Sequence, residues 1–510
     1  MVDNTLHDTR AGTRFAAPPW NEQSAPWRQL DTQLPPDHLA REIRQAMPRL
    51  DLTALYNSYA GRGKAPHRPD LMLAVVLFEL RRGQRKPSQW WQDTHENCAL
   101  WWLGFGIRPS RSCWYEFRER TAAFVDAMNM HVLHQAVAED LTRVERGALD
   151  GSAVAANASR RRLLNAERLQ QRVHHLQAVR HDDAQGEPPA EVPAWMAKTP
   201  RSRTAQHERY HQAQEHLGAL QVANQHYSPS VRRALDKLVL CTGDPEAALG
   251  MDKDHVFRPL YTIATLRDVD SPFIVGYDVF AQATDAATLS PMLARTEQMT
   301  GHGLKEVLVD SGYVTGIDLA QCAQAGVTLY GPWKTNDMHG PKATPLFTKA
   351  HFEWLPALET YRCPAGHLLK RVGRETCGRS GGRKEVVVRY GVPAATCRAC
   401  PLRPQCTTSH KVGRSLRRSE YEDVILAHQD WMETEAAKTV YRLRKQTIEL
   451  VFADFKEHRG LRRFSGHGLT RVRTELALEV LGHNLLVLHR CLRQKCNARK
   501  MESLTEQKAA

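Results

Sequence analysis

KEVLVDSGY, residues 305–313, is the stretch whose reading decides the fold. Val307, Leu308 and Val309 make a short apolar run suited to a buried strand. The run stops at Asp310, before the turn-forming pair Ser311-Gly312. Upstream, DAATLSPMLARTEQM (285–299) repeats its apolar residues at three- and four-residue spacing and predicts an amphipathic helix. Downstream, a second helix is expected near Thr315–Gln324, and VTLYGPW (327–333) is a further strand. Strand–helix alternation of this kind places helices on the faces of a sheet.

Working outward from there, PLYTIATLRD (259–268) and SPFIVGYDVFA (271–281) are β-rich runs joined by a turn at Asp268–Ser271. ERGALDGSAVAA (145–156) reads as a strand that ends near Asp150. TEAAKTVYRLRKQTIELVFADFKEHRG (434–460) is a helix. The order is strand, insertion, strand, strand, helix, strand, helix, strand, insertion, helix, which predicts an α/β fold with a mixed sheet flanked by helices. Such connections bring the ends of the first and fourth strands together at the sheet centre. Asp150 and Asp310 lie near those ends, and the last helix can lay Glu449 across them.

The rest of the chain divides by composition. Residues 1–35 are polar, rich in Pro and Trp, and expected to form a mobile arm. Residues 36–142 have helical periodicity throughout and many cations, among them Arg81, Arg82, Arg85 and Lys86, so a helical DNA-binding domain is expected. The catalytic core is assigned to 143–156 and 250–335, with a polar helical insertion at 157–249. A Cys-rich insertion at 336–430, the C-terminal core helices at 431–495 and a tail at 496–510 complete the division.

Seventy Lys and Arg against 56 Asp and Glu leave a net charge of +14, which favours a polyanionic partner through counterion release. No apolar run approaches the roughly 20 residues that span a bilayer, and the N-terminal stretch lacks an apolar leader. No membrane partner and a cytoplasmic, nucleoid-associated location are therefore expected.

Three carboxylates on rigid elements suit phosphodiester chemistry. Hard oxygen donors hold Mg²⁺ or Mn²⁺, and two such ions about 3.5–4 Å apart activate a nucleophile and stabilise the leaving oxygen. Along the last helix Arg442, Lys445, Glu449 and Lys456 fall on one stripe at 100° per residue, joining a carboxylate to phosphate-binding cations. A bare network of intrahelical ion pairs is the competing explanation of that stripe. Among the eleven cysteines, Cys363, Cys397, Cys400 and Cys406 share one segment with turn-forming Pro364, Gly366 and Pro401. A close Cys-x₂-Cys pair with flanking cysteines suits a structural Zn²⁺ knuckle, with His367, Cys377 and His410 as reserve ligands. The same segment carries Arg362, Arg371, Arg374, Arg379, Arg383 and Arg389, which suit a grip on DNA.

These residues resemble the DDE transposases of bacterial insertion sequences. LDGSAVAANAS (149–159) is similar to the family's first-Asp segment, and VLVDSGYVTGIDL (307–319) to its second. YRLRKQTIELVFADFKEHRGLRRFSGHGL (441–469) is similar to its Tyr-Arg-Glu-Lys signature, filled here by Tyr441, Arg444, Glu449 and Lys456. Arg444 precedes Glu449 by five residues where four is usual, and Lys445 occupies the usual place. YNSYAGRGKAPHRPDLMLAVVLFELRRG (56–83) through SCWYEFRER (112–120) resembles the family's helical N-terminal domain. The resemblance implies a ribonuclease H-like core in which Asp150, Asp310 and Glu449 bind two Mg²⁺ ions. It implies hydrolysis at element ends, transfer of the freed 3′-hydroxyl into target DNA, and a dimer or larger oligomer. Arg442, Arg444, Lys445 and Lys456 are the expected DNA contacts. Two other readings share these residues: a domesticated or regulatory DNA-binding protein with a zinc knuckle and a silent nuclease fold, and a ribonuclease H-like nuclease that cuts without joining.

Overall fold

The computed structural model describes residues 15–59, 64–186, 192–226, 232–334, 347–407, 409 and 411–509. In chain order the helices α1 (Ala25–Gln33), α2 (Leu39–Ala46), α3 (Thr53–Asn57), α4 (Pro69–Arg81), α5 (Pro87–Glu96), α6 (Cys98–Leu103), α7 (Arg111–Thr121) and α8 (Val125–Ala138) come first. Then follow β1 (Arg146–Ala155), β2 (Leu163–Leu164), α9 (Ala166–Gln185), α10 (Pro200–Gln225), β3 (Leu240–Cys241), β4 (Ala248–Met251), β5 (Phe257–Asp268), β6 (Ile274–Phe280) and α11 (Leu289–Thr300). Next are β7 (Glu306–Leu308), α12 (Gly316–Gln324), β8 (Thr328–Tyr330), β9 (Glu353–Leu355), β10 (Thr360–Arg362), β11 (Leu368–Gly378) and β12 (Lys384–Gly391). The chain ends with α13 (Ala394–Arg398), α14 (Arg403–Cys406), β13 (Ser415–Ser419), α15 (Glu422–Glu433), α16 (Glu435–Ala453) and α17 (Leu469–Ala509).

These elements form two compact units. The first comprises Met1–Asn224, Arg233–Glu306 and Leu443–Ala510, the second Gln225–Arg232 and Val307–Arg442. The chain leaves the first unit within β7 and returns within α16.

In the first unit, α4 reads PDLMLAVVLFELR and is apolar on every side, so it can only be a core helix. Leu71 to Leu80 are all buried. The long α17 packs on α2, α4, α8 and β6. Strand β5 is paired antiparallel with β1, β4 and β6. A parallel bridge between Ala155 and Arg463 makes the pairing mixed. Strand β1 does not stop near Asp150 as its sequence suggests. Gly151–Ala155 stay in register with Leu260–Ala264, so Asp150 lies mid-strand, opposite Thr265. The expected arm also folds earlier: Trp27 in α1 is buried, stacks on Trp102 and donates its indole N–H to the Trp102 carbonyl at 2.9 Å. The helical insertion is a hairpin of α9 and α10 around Leu169, Val173, Leu176, Tyr210 and Leu217. At the other end, α17 continues as one helix through the stretch assigned above to a tail.

In the second unit, β7 and β8 are joined through α12, a strand–helix–strand crossover of the kind parallel strands require. The Cys-rich insertion is an antiparallel sheet in the order β13-β12-β11-β10-β9. It has more apolar substance than its polar sequence suggests: Phe352, Tyr361, Leu369, Tyr390 and Leu416 form a core, and Trp354 packs on both tyrosines.

Gly83 joins α4 to α5 at φ +78°, and a Cβ there would stand 2.8 Å from the Arg459 carbonyl oxygen. Left-handed backbone and close approach both exclude a side chain. Gly83→Ala should lower stability by about 1–3 kcal/mol, read as a shifted urea midpoint with unchanged slope; an unchanged midpoint would remove this close approach from the fold's requirements.

Candidate active site and cysteine cluster

Asp150 projects from the middle of β1 and is partly exposed. The Gly151 N–H donates to its Oδ1 at 2.8 Å, and Arg444 Nη2 stands 3.3 Å from its Oδ2. Arg444, whose spacing departs from the usual signature, is thus an ion-pair partner of the first aspartate in this structure. Its side chain is 13% exposed, so the pair is shielded from water on most sides.

Helix α16 rests on the sheet because Ile448, Val451 and Phe455 form a buried stripe at helical spacing along it and into the turn that follows. Three polar ties fix its position: Arg444 to Asp150 on β1, Arg267 of β5 to the Thr447 carbonyl at 2.7 Å, and Lys456 Nζ to the Ala153 carbonyl of β1 at 2.9 Å. Two residues beyond Thr447, Glu449 is exposed and makes no hydrogen bond or ion pair among the described residues. Arg442 and Lys445 are exposed too, as the stripe predicts. Leu450, by contrast, is 59% exposed, although it is apolar.

Lys456 leaves that stripe. Asp454–His458 form a π-helical turn, which holds more residues per turn and so breaks the 100° progression. The ammonium group is redirected onto β1 and half-buried. Burial, with repulsion from Lys253 and Arg462, pushes it down to about 8. The turn itself is held by Arg459, which is buried and bonded to Glu479 at 2.9 Å and to Asp454. Asp454 also meets Arg81 at 3.2 Å. Burial would raise the Asp454 carboxyl, but His483, Arg459 and Arg81 together hold it well below the usual range. Neither Arg459 nor Arg267 was singled out by sequence reasoning, since one buried arginine in a basic chain has no periodic signature.

Asp310 belongs to the second unit. It is exposed, follows β7 by two residues and accepts the Ser311 N–H at 2.7 Å. It does not cap the next helix: Thr315 does so, accepting from the Asp318 N–H at 3.2 Å.

In the same unit Cys363, Cys397, Cys400 and Cys406 line one pocket together with His367. Gly366, at φ +84°, lets the Cys363–His367 loop turn back. The Cys363 N–H then donates to the His367 carbonyl at 2.8 Å, while the His367 N–H points at Cys363 Sγ at 3.3 Å. The Arg414 N–H likewise donates to Cys397 Sγ at 3.3 Å. Burial pushes the Cys406 thiol up, with Arg414 opposing and the other three cysteines adding to the rise. Cys377 does not line the pocket and accepts from Arg417 at 3.2 Å. His410 lies outside the described residues.

Among the described residues no group of three or more His, Cys, Asp or Glu stands in an arrangement that could hold a metal ion. Among the described residues no helix is long and apolar enough to cross a membrane.

The first unit is thus a mixed α/β structure in which the helix bearing Glu449 is tied through Arg444 and Lys456 to the strand bearing Asp150. Residues 362–489 match the family model described as transposase DDE domain, which supports a DDE transposase. The matched quarter of the chain contains the four clustered cysteines, Glu449 and Lys456, but neither Asp150 nor Asp310. No curated protein and no solved structure matches.

Lys456 predicts a pH dependence. Its folded value near 8 lies below the ordinary 10.5, so above pH 8 the unfolded chain holds the proton more tightly. Its contribution to stability should therefore rise as pH climbs from about 8 to 10.5. Lys456→Met should flatten that rise in urea titrations, and a parallel wild-type profile would count against the buried ammonium.

Proposed function

We propose that the protein is a metal-dependent DNA transposase that hydrolyses one strand at each end of an insertion sequence and joins the freed 3′-hydroxyl to target DNA. The observation that carries this reading is the seating of α16 over β1: the Glu449 helix is tied to the Asp150 strand by Arg444 and Lys456. The match to the transposase DDE domain over the same helix supports it.

Asp150, Asp310 and Glu449 are the proposed ligands of two Mg²⁺ or Mn²⁺ ions, and their carboxylate oxygens are the hard donors these ions take. When bound, such a pair supplies an activated water or 3′-hydroxyl and stabilises the leaving oxygen. Arg444 meanwhile holds Asp150 as a counter-charge and is placed to exchange that carboxylate for a phosphate. Arg442 and Lys445 offer exposed cations on the outer side of α16, and Lys456 positions the strand beneath it. DNA ends and target are the partners. A homodimer or larger oligomer follows from the need to handle two ends, and the setting is a bacterial cytoplasm.

The cysteine cluster is proposed to hold a structural Zn²⁺ through Cys363, Cys397, Cys400 and Cys406. The four cysteines line one pocket, and backbone N–H groups directed at Cys363 and Cys397 Sγ suit sulfur ligands of a metal, which is the support the pocket offers.

Incubation with element-end duplexes and Mg²⁺ should yield 3′ nicks and then joined products. Asp150→Ala, Asp310→Ala and Glu449→Ala should each abolish both while leaving DNA affinity within about threefold, because binding rests mainly on phosphate contacts. Undiminished cutting by any one would exclude that residue. Cuts without joined products would indicate a nuclease, and binding without cuts a regulatory protein. Metal analysis of the purified chain should find about one zinc per molecule, lost in Cys397→Ser/Cys400→Ser; a metal-free chain with an unchanged melting curve in that variant would exclude the zinc site.

A further inference from the structure

The basic residues of the Cys-rich unit are not equivalent. Several are consumed internally: Arg362 pairs with Glu353 at 3.0 Å, Arg379 with Glu385, Arg383 with the buried Asp318 at 2.6 Å, and Arg418 with Asp423 beneath the Trp354 ring. Lys370, Arg371, Arg374 and Arg389 are exposed, and none makes an ion pair or hydrogen bond among the described residues. All four lie on the β11–β12 ribbon.

The ribbon's construction sharpens the contrast. Residues 368–391 contain seven Lys and Arg against two Glu, a net +5 of the chain's +14. Beyond Leu369, β11 has no partner in register with β10, so among the described residues β12 is the strand partner of Lys370–Gly378 and the other edge carries no strand. Arg389 stands directly across from Arg417 in register, and like charges so placed destabilise a sheet. Arg417 is relieved by Glu375 at 2.5 Å; Arg389 has no such relief and lies over Gly373, its Nη2 3.9 Å from where a Cβ would be. Lys370, opposite Gly391, shares the Arg389 face, while Arg371 and Arg374, opposite Tyr390 and Val388, lie on the other, so the cations flank the β11 edge from both faces. Unrelieved cations gathered along one edge are electrostatically costly alone and favourable against a polyanion.

We propose that the β11–β12 ribbon is a docking surface for duplex DNA that grips the phosphate backbone without reading sequence, through Lys370, Arg371, Arg374 and Arg389. β13 covers the far side of β12 at these positions, so the free side is the edge of β11, whose eleven extended residues span about 35 Å, roughly one turn of B-form DNA. The inference rests on the DNA reading above but not on the carboxylates. Lys and Arg also guard open edges against self-association, and the test separates that role from DNA binding.

Binding of full-length protein to a 30-base-pair duplex of arbitrary sequence (about three turns of B-form DNA) is measured across a salt series. The variant Lys370→Gln/Arg371→Gln/Arg374→Gln/Arg389→Gln should lower the slope of log affinity against log salt by about 3, near 0.9 per lost contact. A charge-matched control, Arg143→Gln/Arg168→Gln/Arg201→Gln/Lys305→Gln, should change it by less than about 1. The variant Arg371→Lys/Arg374→Lys/Arg389→Lys should keep the wild-type slope. An unchanged slope in the ribbon variant overturns the proposal, as does an equal loss in the control. Self-association of the ribbon variant with an unchanged slope assigns the charges to edge protection. A wild-type chain that binds no DNA overturns the transposase reading as well, whereas wild-type cleavage with an unaffected ribbon variant overturns the ribbon alone.

Discussion

The buried guanidinium of Arg459 is the constraint on which the first unit's site depends. It is 1% exposed, and a cation so placed is tolerable only when fully compensated. Glu479 on α17 and Asp454 at the end of α16 supply the compensating charge, while the Arg459 carbonyl accepts from Arg85 and leaves room only for glycine at position 83. One residue therefore ties the N-terminal helices, the long C-terminal helix and the turn that follows the Glu449 helix. Removing a single partner would leave a buried charge uncompensated, which costs far more than a surface pair is worth.

From that anchor the chemistry of the site follows. The π-helical turn, clamped at Asp454, turns Lys456 inward onto β1 and leaves Arg442, Lys445 and Glu449 facing outward. The same helix brings Arg444 to Asp150, so the strand aspartate has a counter-charge. An arginine held by one carboxylate beside a surface of exposed cations can transfer its hydrogen bonds to phosphate at little electrostatic cost, because one anion replaces another. In the second unit the separation is similar: some arginines are consumed by Asp318, Glu353, Glu385 and Asp423, and others remain exposed on a ribbon.

Much of the element order was legible in the sequence. The apolar run at Val307–Val309, the two β-rich runs around Asp268–Ser271 and the helices at Leu289–Thr300 and Gly316–Gln324 appear where their periodicity predicts. The stripe of Arg442, Lys445 and Glu449 was legible because a regular helix makes exposure periodic. Lys456 was not, because a π-helical turn leaves no mark on hydrophobic spacing. The end of β1 was misread because Gly151 and Ser152 look like turn formers, yet antiparallel pairing with β5 holds them in the strand. Trp27 was assigned to an arm because its partner, Trp102, lies 75 residues away.

What the sequence determined by itself was the alternation of strand and helix, the cationic excess, and the residue types able to hold metals and phosphates. These depend on local periodicity and composition, which a linear chain displays. Only the tertiary structure decided that Arg444 faces Asp150, that Thr315 caps α12, that Lys456 turns inward, and which arginines of the Cys-rich unit are held by carboxylates. Each of those is a pairing chosen among competing charges, and it is burial and distance, absent from a string of letters, that choose between them.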